Sequence, residues 1–173
     1  MNETAQQYIA RITGHVGDQD PWGLLAQAPE RLRSLVEGVP PAVLAWKPTP
    51  DRWSITEIAA HLADAEIVAA WRIRSVLAQD GVPLQPFDQN DWVSAFRYEL
   101  TPVDESLAVF ATLRQATLRL LRQVDPARHQ HTGMHAERGP ESITHLVRLY
   151  AGHDLNHFAQ IEQLLGDARR AGV

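Results

Sequence analysis

The chain has 173 residues, of which 45% are hydrophobic and 21% charged, and its formal net charge is −5. This length and composition predict a single domain over residues 1–173, and the acidic balance argues against a general nucleic-acid surface. Because the chain contains no cysteine, disulfides, thiolate metal ligands and a cysteine nucleophile are excluded. No apolar run reaches the roughly 18 residues of a membrane span. The start lacks the pattern of a signal peptide, so we expect a cytoplasmic protein that binds neither membrane nor nucleic acid.

Apolar residues recur with helical spacing along nearly the whole chain, and no segment has a convincing strand pattern. A short helix is predicted over residues 4–13. Asp20 and Pro21 then have the pattern of an N-cap followed by the first helical residue. We expect Pro29 to kink or break the helix that follows, and residues 38–41 (Gly-Val-Pro-Pro) to end it.

The second bundle helix is the best defined by its sequence. Residues 54–57 (Ser-Ile-Thr-Glu) have the pattern of a capping box. The apolar stripe that follows runs to Val76 and includes His61 and Arg72 at inward positions. A connection over about residues 80–101 comes next; it is long for a link between helices, and long ordered loops are often functional.

Two further helices complete the pattern. The third opens with Thr101 as N-cap and Pro102 as its first residue, and it stops before residues 125–126 (Asp-Pro). The fourth begins within residues 139–142 and ends at Gly166. Four amphipathic segments predict an all-α fold, a four-helix bundle with a long connection between its second and third helices.

Three histidines are the strongest candidates for chemistry. His153 and His157 are four residues apart in the stripe of the fourth helix, so they share one face, and His61 lies in the stripe of the second helix. Buried imidazoles need polar partners, and one metal ion would satisfy all three while leaving coordination positions open. The alternative is three histidines satisfied within the core. His131 and His135 have the same spacing, but the glycines and prolines around them argue against a helix there.

The ligand type narrows the choice of metal. Three imidazoles without sulfur suit Zn, Ni, Fe(II), Mn or Co, and they do not suit Ca or Mg. Neutral ligands leave the ion its full 2+ charge, which acidifies a bound water and would also favour a bound thiolate. The same predicted site therefore serves hydrolysis or thiol chemistry.

Four polar residues near the stripes are further candidates. Asp64, one turn after His61, can orient an imidazole or be a solvated charge. Arg72 can bind an anionic group of a substrate, pair with an acid, or snorkel to the surface. Tyr150 and Gln160 lie one turn outside the histidine pair and can reach the edge of the site, although Tyr150 suits plain core packing equally well.

Residues 153–157 (His-Asp-Leu-Asn-His) match only part of the H-E-x-x-H motif of zinc proteases. Asp154 stands where that motif has its general-base glutamate, and the third ligand would lie upstream. On a helical wheel Asp154 and Asn156 point away from the apolar stripe. We therefore disfavour a protease.

Several motifs, in order and separation, resemble the DinB-like (YfiT-like) family of metal-dependent enzymes. They are Trp53-Ser54 with Glu57, residues 61–66 (His-Leu-Ala-Asp-Ala-Glu) followed by Arg72, and residues 153–157 followed by Gln160-Ile161. The resemblance covers nearly the whole chain. It implies an up-down-down-up four-helix bundle, often a homodimer, with Zn or Ni held by His61, His153 and His157.

The resemblance also bears on activity, since members of the family include S-transferases that use low-molecular-weight thiols. We accordingly expect a divalent-metal-dependent thiol S-transferase that acts on small electrophiles. Arg72 and the connection over residues 80–101 would position the small-molecule substrates. The alternatives are a metal-dependent hydrolase, for which no convincing general base is evident, and a non-catalytic, stress-related dimer that binds metal.

Overall fold

A computed structural model describes residues 3–173 as seven helices and one small sheet. The helices are α1 (Ala5–Gly14), α2 (Pro21–Val36), α3 (Pro41–Leu44), α4 (Ile55–Ala78), α5 (Gln89–Ala95), α6 (Val103–Gln123) and α7 (Ile143–Ala171). The strands are β1 (Pro83–Leu84), β2 (Thr132–His135) and β3 (Gly139–Ser142), with 3-10 turns at Tyr98–Leu100 and Pro126–Gln130. None of the described helices combines the length and apolar character needed to cross a membrane.

The four long helices form the predicted four-helix bundle. Helices α2 and α4 each pack against both α6 and α7, which places α2 and α4 at opposite corners of the bundle. The short helix α1 packs along α7. The predicted long connection between the second and third bundle helices, α4 and α6, contains β1, α5 and a 3-10 turn.

Several helix starts follow from the local sequence. Thr4 at α1 and Ser54 at α4 each form a capping box with the residue three positions later, which satisfies two amide donors that have no helical partner. The Asp20 carboxylate caps α2 by accepting from two backbone N–H groups. These ends depend only on neighbouring residues, and the predicted caps at Ser54 and Asp20 are confirmed.

The predicted break at Pro29 is wrong, because α2 runs continuously through this residue. Proline has no N–H, so the carbonyl of Leu25 loses its usual helical donor. The guanidinium of Arg114, on α6, donates to that carbonyl across 3.3 Å. A contact between two helices thus replaces the hydrogen bond that the sequence cannot make.

Two other helix ends differ from their predicted positions. Helix α6 begins at Val103, one residue late, because Pro102 keeps an extended ψ of 134° and is itself the N-cap. Helix α7 continues past Gly166 to Ala171. It continues because Ala168, which is fully buried, extends the apolar face by another turn.

The prediction that the chain has no strand is also wrong. β1 pairs with β2 in parallel, and β2 pairs with β3 in an antiparallel hairpin. Strands of two to four residues are too short to show the alternation by which strands are recognised. A side chain at Gly133 would place its Cβ only 2.6 Å from Leu84 Cδ1, so this glycine permits the close packing of β1 and β2. The hairpin packs against the bundle, with β2 beside α4 and β3 beside α7.

The buried apolar side chains form two separate clusters. One cluster contains buried side chains from residues 69–77 of α4 and 143–151 of α7. The other contains buried side chains from residues 55–62 of α4 and 158–164 of α7. The segment between the clusters on α7, residues 152–157, carries two of the predicted metal ligands. A polar layer therefore crosses the bundle between two apolar ones.

Gly152 allows α1 to lie against α7, and we expect Gly152→Ala to separate them. The added Cβ would lie 2.0 Å from the carbonyl oxygen of Ile12 on α1, a distance that forces the helix backbones apart. Overpacking of this kind costs about 1–3 kcal/mol, measured as a fall in the free energy of unfolding in denaturant. Gly166→Ala is the matched control: it lies on the same helix with its nearest neighbour at 3.6 Å, and it is expected to stabilise by about 0.5–1 kcal/mol. Equal effects of the two substitutions would contradict the close approach.

Candidate metal centre

Three histidines from two facing helices meet in the polar layer. His61 of α4 and His153 and His157 of α7 are all buried, and one ring nitrogen from each lies within 4.8 Å of the others. The Nε2 atoms of His61 and His153 are 3.0 Å apart. The structure thus brings together the three residues that the helical periodicity selected.

The outer ring nitrogens of the two α7 histidines indicate which atoms are available to a metal. His157 Nδ1 lies 2.8 Å from Gln160 Oε1, and an amide oxygen only accepts, so this nitrogen carries the proton. His153 Nδ1 lies 3.9 Å from an oxygen of Asp154 and has no hydrogen-bond partner among residues 3–173. His157 can therefore present an unprotonated Nε2, with Gln160 as the usual kind of support behind a ligating imidazole. The Nε2 atom of His153 faces that of His61.

Burial also keeps the rings of His61 and His157 in the neutral form that binds metal. It is the main cause that lowers the pKa of His61 well below its ordinary value, and the neighbouring imidazoles lower it further. Burial and His153 likewise lower the pKa of His157 to about 3. Neutral, buried imidazoles in such proximity are a donor set that fits a divalent transition metal.

These pKa shifts predict a stability that falls in mild acid when the protein is free of metal. The unfolded chain takes up a proton at each histidine near pH 6.5, whereas folded His157 stays neutral until about pH 3. The free energy of unfolding should thus decrease as the pH falls below about 6.5. Denaturant titrations at about pH 7.5 and about pH 5 measure the loss, which should be smaller in His157→Ala than in the wild type. An unchanged loss in this variant would contradict the prediction.

Trp53 forms one wall of the site, a role that the sequence did not suggest. Its indole stacks on the ring of His157 at 6.3 Å with an interplanar angle of 9°, and it lies 5.0 Å from the ring of His61 at a tilt of 54°. The sequence signal for this role was the position of Trp53 directly before Ser54, the N-cap of α4. The indole limits how the two imidazoles can rotate.

A buried ion cluster supports the centre from the opposite side. Arg114 donates to Glu66 at 2.7 Å and to Asp154 at 2.7 Å, and all three side chains are buried. Asp154 was expected to point away from the apolar stripe, but it reaches between α7 and α6 and lies beside His153. We did not predict a role for Arg114. Its position between Phe110 and Thr117, on the apolar stripe of α6, was a signal that its charge is buried.

The four other candidate residues fall in two groups. Asp64 accepts a hydrogen bond from the Tyr98 hydroxyl and lines a separate cavity, so the structure does not support its predicted role of orienting an imidazole. Gln160 contacts His157 as described above. Arg72 and Tyr150 are hydrogen-bonded to each other at 3.3 Å and line a cavity that leads to the histidines.

Two cavities meet at the histidines. The first, here called the arginine cavity, has a volume of about 560 Å³ and is lined by His61, His153, Arg72, Arg138 and Tyr150, among others. The second, the tryptophan cavity, has about 670 Å³ and is lined by His153, His157, Trp53, Arg52 and Gln160, among others. His153, Tyr8, Gln89 and Asn90 line both. The centre is therefore accessible from two sides.

Known proteins resemble this chain in sequence and in fold. A protein of Oceanobacillus iheyensis, named "Putative metal-dependent hydrolase", is 30% identical over 112 residues, which are 65% of this chain and 64% of that protein. The protein of the same description named YfiT, from Bacillus subtilis, is 25% identical over 96% of this chain and 93% of its own. The aligned segment thus spans just under two thirds of the first relative and nearly all of the second.

A solved structure has the same fold. YfiT from Bacillus subtilis, described as having an unusual four-helix bundle topology, superposes with a TM-score of 0.78 at 22% identity, over 88% of this chain and 86% of that one. A sequence model of the DinB superfamily matches residues 24–161, which include all three histidines. The chain belongs to the DinB superfamily.

Proposed function

We propose that the protein is a thiol S-transferase that depends on a divalent metal, Zn or Ni, held by His61, His153 and His157. It would join a low-molecular-weight thiol to a small electrophile. The observation that carries the proposal is the meeting of two cavities at His153. A transfer needs room for two substrates at one centre, and the two cavities provide that room beside His153.

Residues of the chain determine the charge around the metal and the source of the sulfur. When bound, the metal would supply the positive charge that keeps a thiol deprotonated near neutral pH. The three imidazoles carry no negative charge that would cancel it, and Trp53 stacks on one of them. Because the chain has no cysteine, the sulfur must come from a small molecule.

The carboxylates nearest to the ligands in sequence also favour transfer. Glu57 pairs with Lys47, Asp64 accepts from Tyr98, and Glu66 and Asp154 both pair with Arg114. A general base must be within hydrogen-bond reach of the proton that it removes, and these four groups are engaged elsewhere. A thiol is already far more acidic than water before either binds a metal, so it depends less on such a base.

The second candidate is a metal-dependent hydrolase, favoured by the names of the relatives described above. Hydrolysis would need a base that activates water, and Glu137 is a candidate because it is exposed and lines the arginine cavity. The two functions share the metal and differ in their need for a thiol.

The test is a product assay on the metal-loaded chain without a histidine tag. Bacillithiol, mycothiol or glutathione is mixed with an alkyl chloride, and the conjugate is detected by mass spectrometry. In the expected step the sulfur–carbon bond forms, the carbon–chlorine bond breaks, chloride leaves and the thiol proton passes to solvent. His157→Ala should abolish the product, whereas His145→Ala, on the same helix but outside the centre, should retain it.

The outcomes separate the alternatives. Conjugate formation that requires metal and thiol supports transfer. Cleavage of an ester that requires metal but no thiol would establish the hydrolase instead. Full metal occupancy without either activity across many electrophiles and esters would favour a non-catalytic metal-binding protein.

A further inference from the structure

We infer that Arg72 forms an anion-binding subsite in the arginine cavity, and that one substrate therefore carries a carboxylate or phosphate group. This inference adds a class of substrate to the proposed function. It rests on that function, because it assumes that the histidine centre is the reaction site. The observation behind it is a buried guanidinium without a counter-charge beside a cavity.

The charge of Arg72 is not balanced within the described part of the chain. Its side chain is 4% exposed, yet no carboxylate of residues 3–173 lies within 4.0 Å of its nitrogens. It donates to the Gln85 carbonyl at 2.6 Å and to the Tyr150 hydroxyl at 3.3 Å, and its Nε–H has no acceptor. Arg114, the other buried arginine, has two carboxylates. Buried charges are normally paired, so Arg72 is the exception in this protein.

Besides the ring of Phe87, which lies 5.9 Å from the guanidinium carbon, the remaining neighbour of Arg72 is His135, and it does not supply the missing acceptor. His135 Nδ1 accepts from the backbone N–H groups of Glu137 and Arg138 at 3.2 and 3.3 Å, so the ring proton of neutral His135 lies on Nε2. That nitrogen faces Arg72 Nη2 at 3.4 Å. Two donors that face each other gain nothing from the contact, and an anion nearby would be attracted to both.

The other charged groups that line the arginine cavity are largely engaged. Arg138 forms a two-pronged pair with Glu141 at 2.6 and 3.1 Å. Glu3 pairs with Arg11, and Asp88 caps α5. Glu137 is exposed and forms no ion pair with Arg72 among the described residues. Arg72 is thus the buried cation that an entering anion would meet.

The position of Arg72 limits the size of the substrate. Its partner Tyr150 lies one turn before His153 on α7, which is about 4.5 Å along the helix axis. An anionic group bound at Arg72 and Tyr150 therefore lies only a few bonds from an atom at the histidines. The substrate class is a compact carboxylate or phosphate with its reacting atom close to the charge.

The test measures anion binding without turnover. The experiment is a calorimetric titration with succinate, inorganic phosphate and the neutral analogue succinamide. The proteins are metal-loaded wild type, Arg72→Gln, Arg72→Lys and Arg74→Gln. Arg74 is the matched control because it lies on the same helix and instead contacts Ala70 and Thr117. Circular dichroism, thermal unfolding and metal content are measured for every variant, and Arg72→Lys retains the charge if Arg72→Gln does not fold.

We expect at least one anion to bind wild type and Arg74→Gln alike, and roughly tenfold or more weaker in Arg72→Gln, with partial recovery in Arg72→Lys. Whether succinate or phosphate binds more tightly identifies the anionic group. If succinamide binds as tightly as the anions, the subsite is wrong. It is also wrong if anion binding survives Arg72→Gln but is lost in the metal-free His157→Ala. Since no thiol or product is involved, failure of the transferase assay would leave this result unaffected.

Discussion

Replacing His157 with alanine is expected to lower the affinity for Zn or Ni by about 100-fold or more. Loss of a supporting residue behind a ligand already costs 10–100-fold in metal affinity, and His157 is one of only three imidazoles in the cluster. Elemental mass spectrometry of the purified, untagged proteins measures the effect as near-stoichiometric metal in wild type and little in the variant.

Thermal unfolding measures the loss of metal binding independently. A metal present at 100 times its dissociation constant stabilises the folded state by about 2.7 kcal/mol, which raises the Tm of a chain of this length by about 5–10 °C. Wild type and His145→Ala should show this rise and His157→Ala should not. If His157→Ala binds metal and gains stability like the wild type, the three-histidine centre is wrong.

Replacing Arg114 with methionine is expected to destabilise the fold by about 3–5 kcal/mol, the usual cost of removing one partner of a buried ion pair. The substitution leaves Glu66 and Asp154 buried without a counter-charge, and it leaves the Leu25 carbonyl without the donor that compensates for Pro29. The Tm should fall by about 6–20 °C.

The pH dependence distinguishes lost charge pairing from lost packing. Burial raises the pKa of Glu66 even with Arg114 beside it, so removing Arg114 should raise it further. The variant should recover part of its deficit relative to wild type as the pH is lowered and the carboxyls become neutral. Arg119→Met, at an exposed position on the same helix, should stay within about 0.5 kcal/mol of wild type. A similar small effect of Arg114→Met would show that the buried cluster contributes little.

The sequence predicted those features that depend on residues close together in the chain. The capping box at Ser54 involves residues three positions apart, and the i, i+4 spacing of His153 and His157 fixes their common face. His61 could be added because the apolar stripe of its own helix points it inward. The predicted homodimer stays a prediction.

The tertiary structure alone decided the contacts between distant residues. Arg114 meets carboxylates that lie 48 and 40 residues away, and its contact with Leu25 allows α2 to continue through Pro29. The surroundings of Arg72 depend on a hairpin too short to be recognised by its pattern. Caps and helix faces could be predicted because they are set by neighbouring residues along the chain. Partners of buried charges could not, because they depend on how the helices pack.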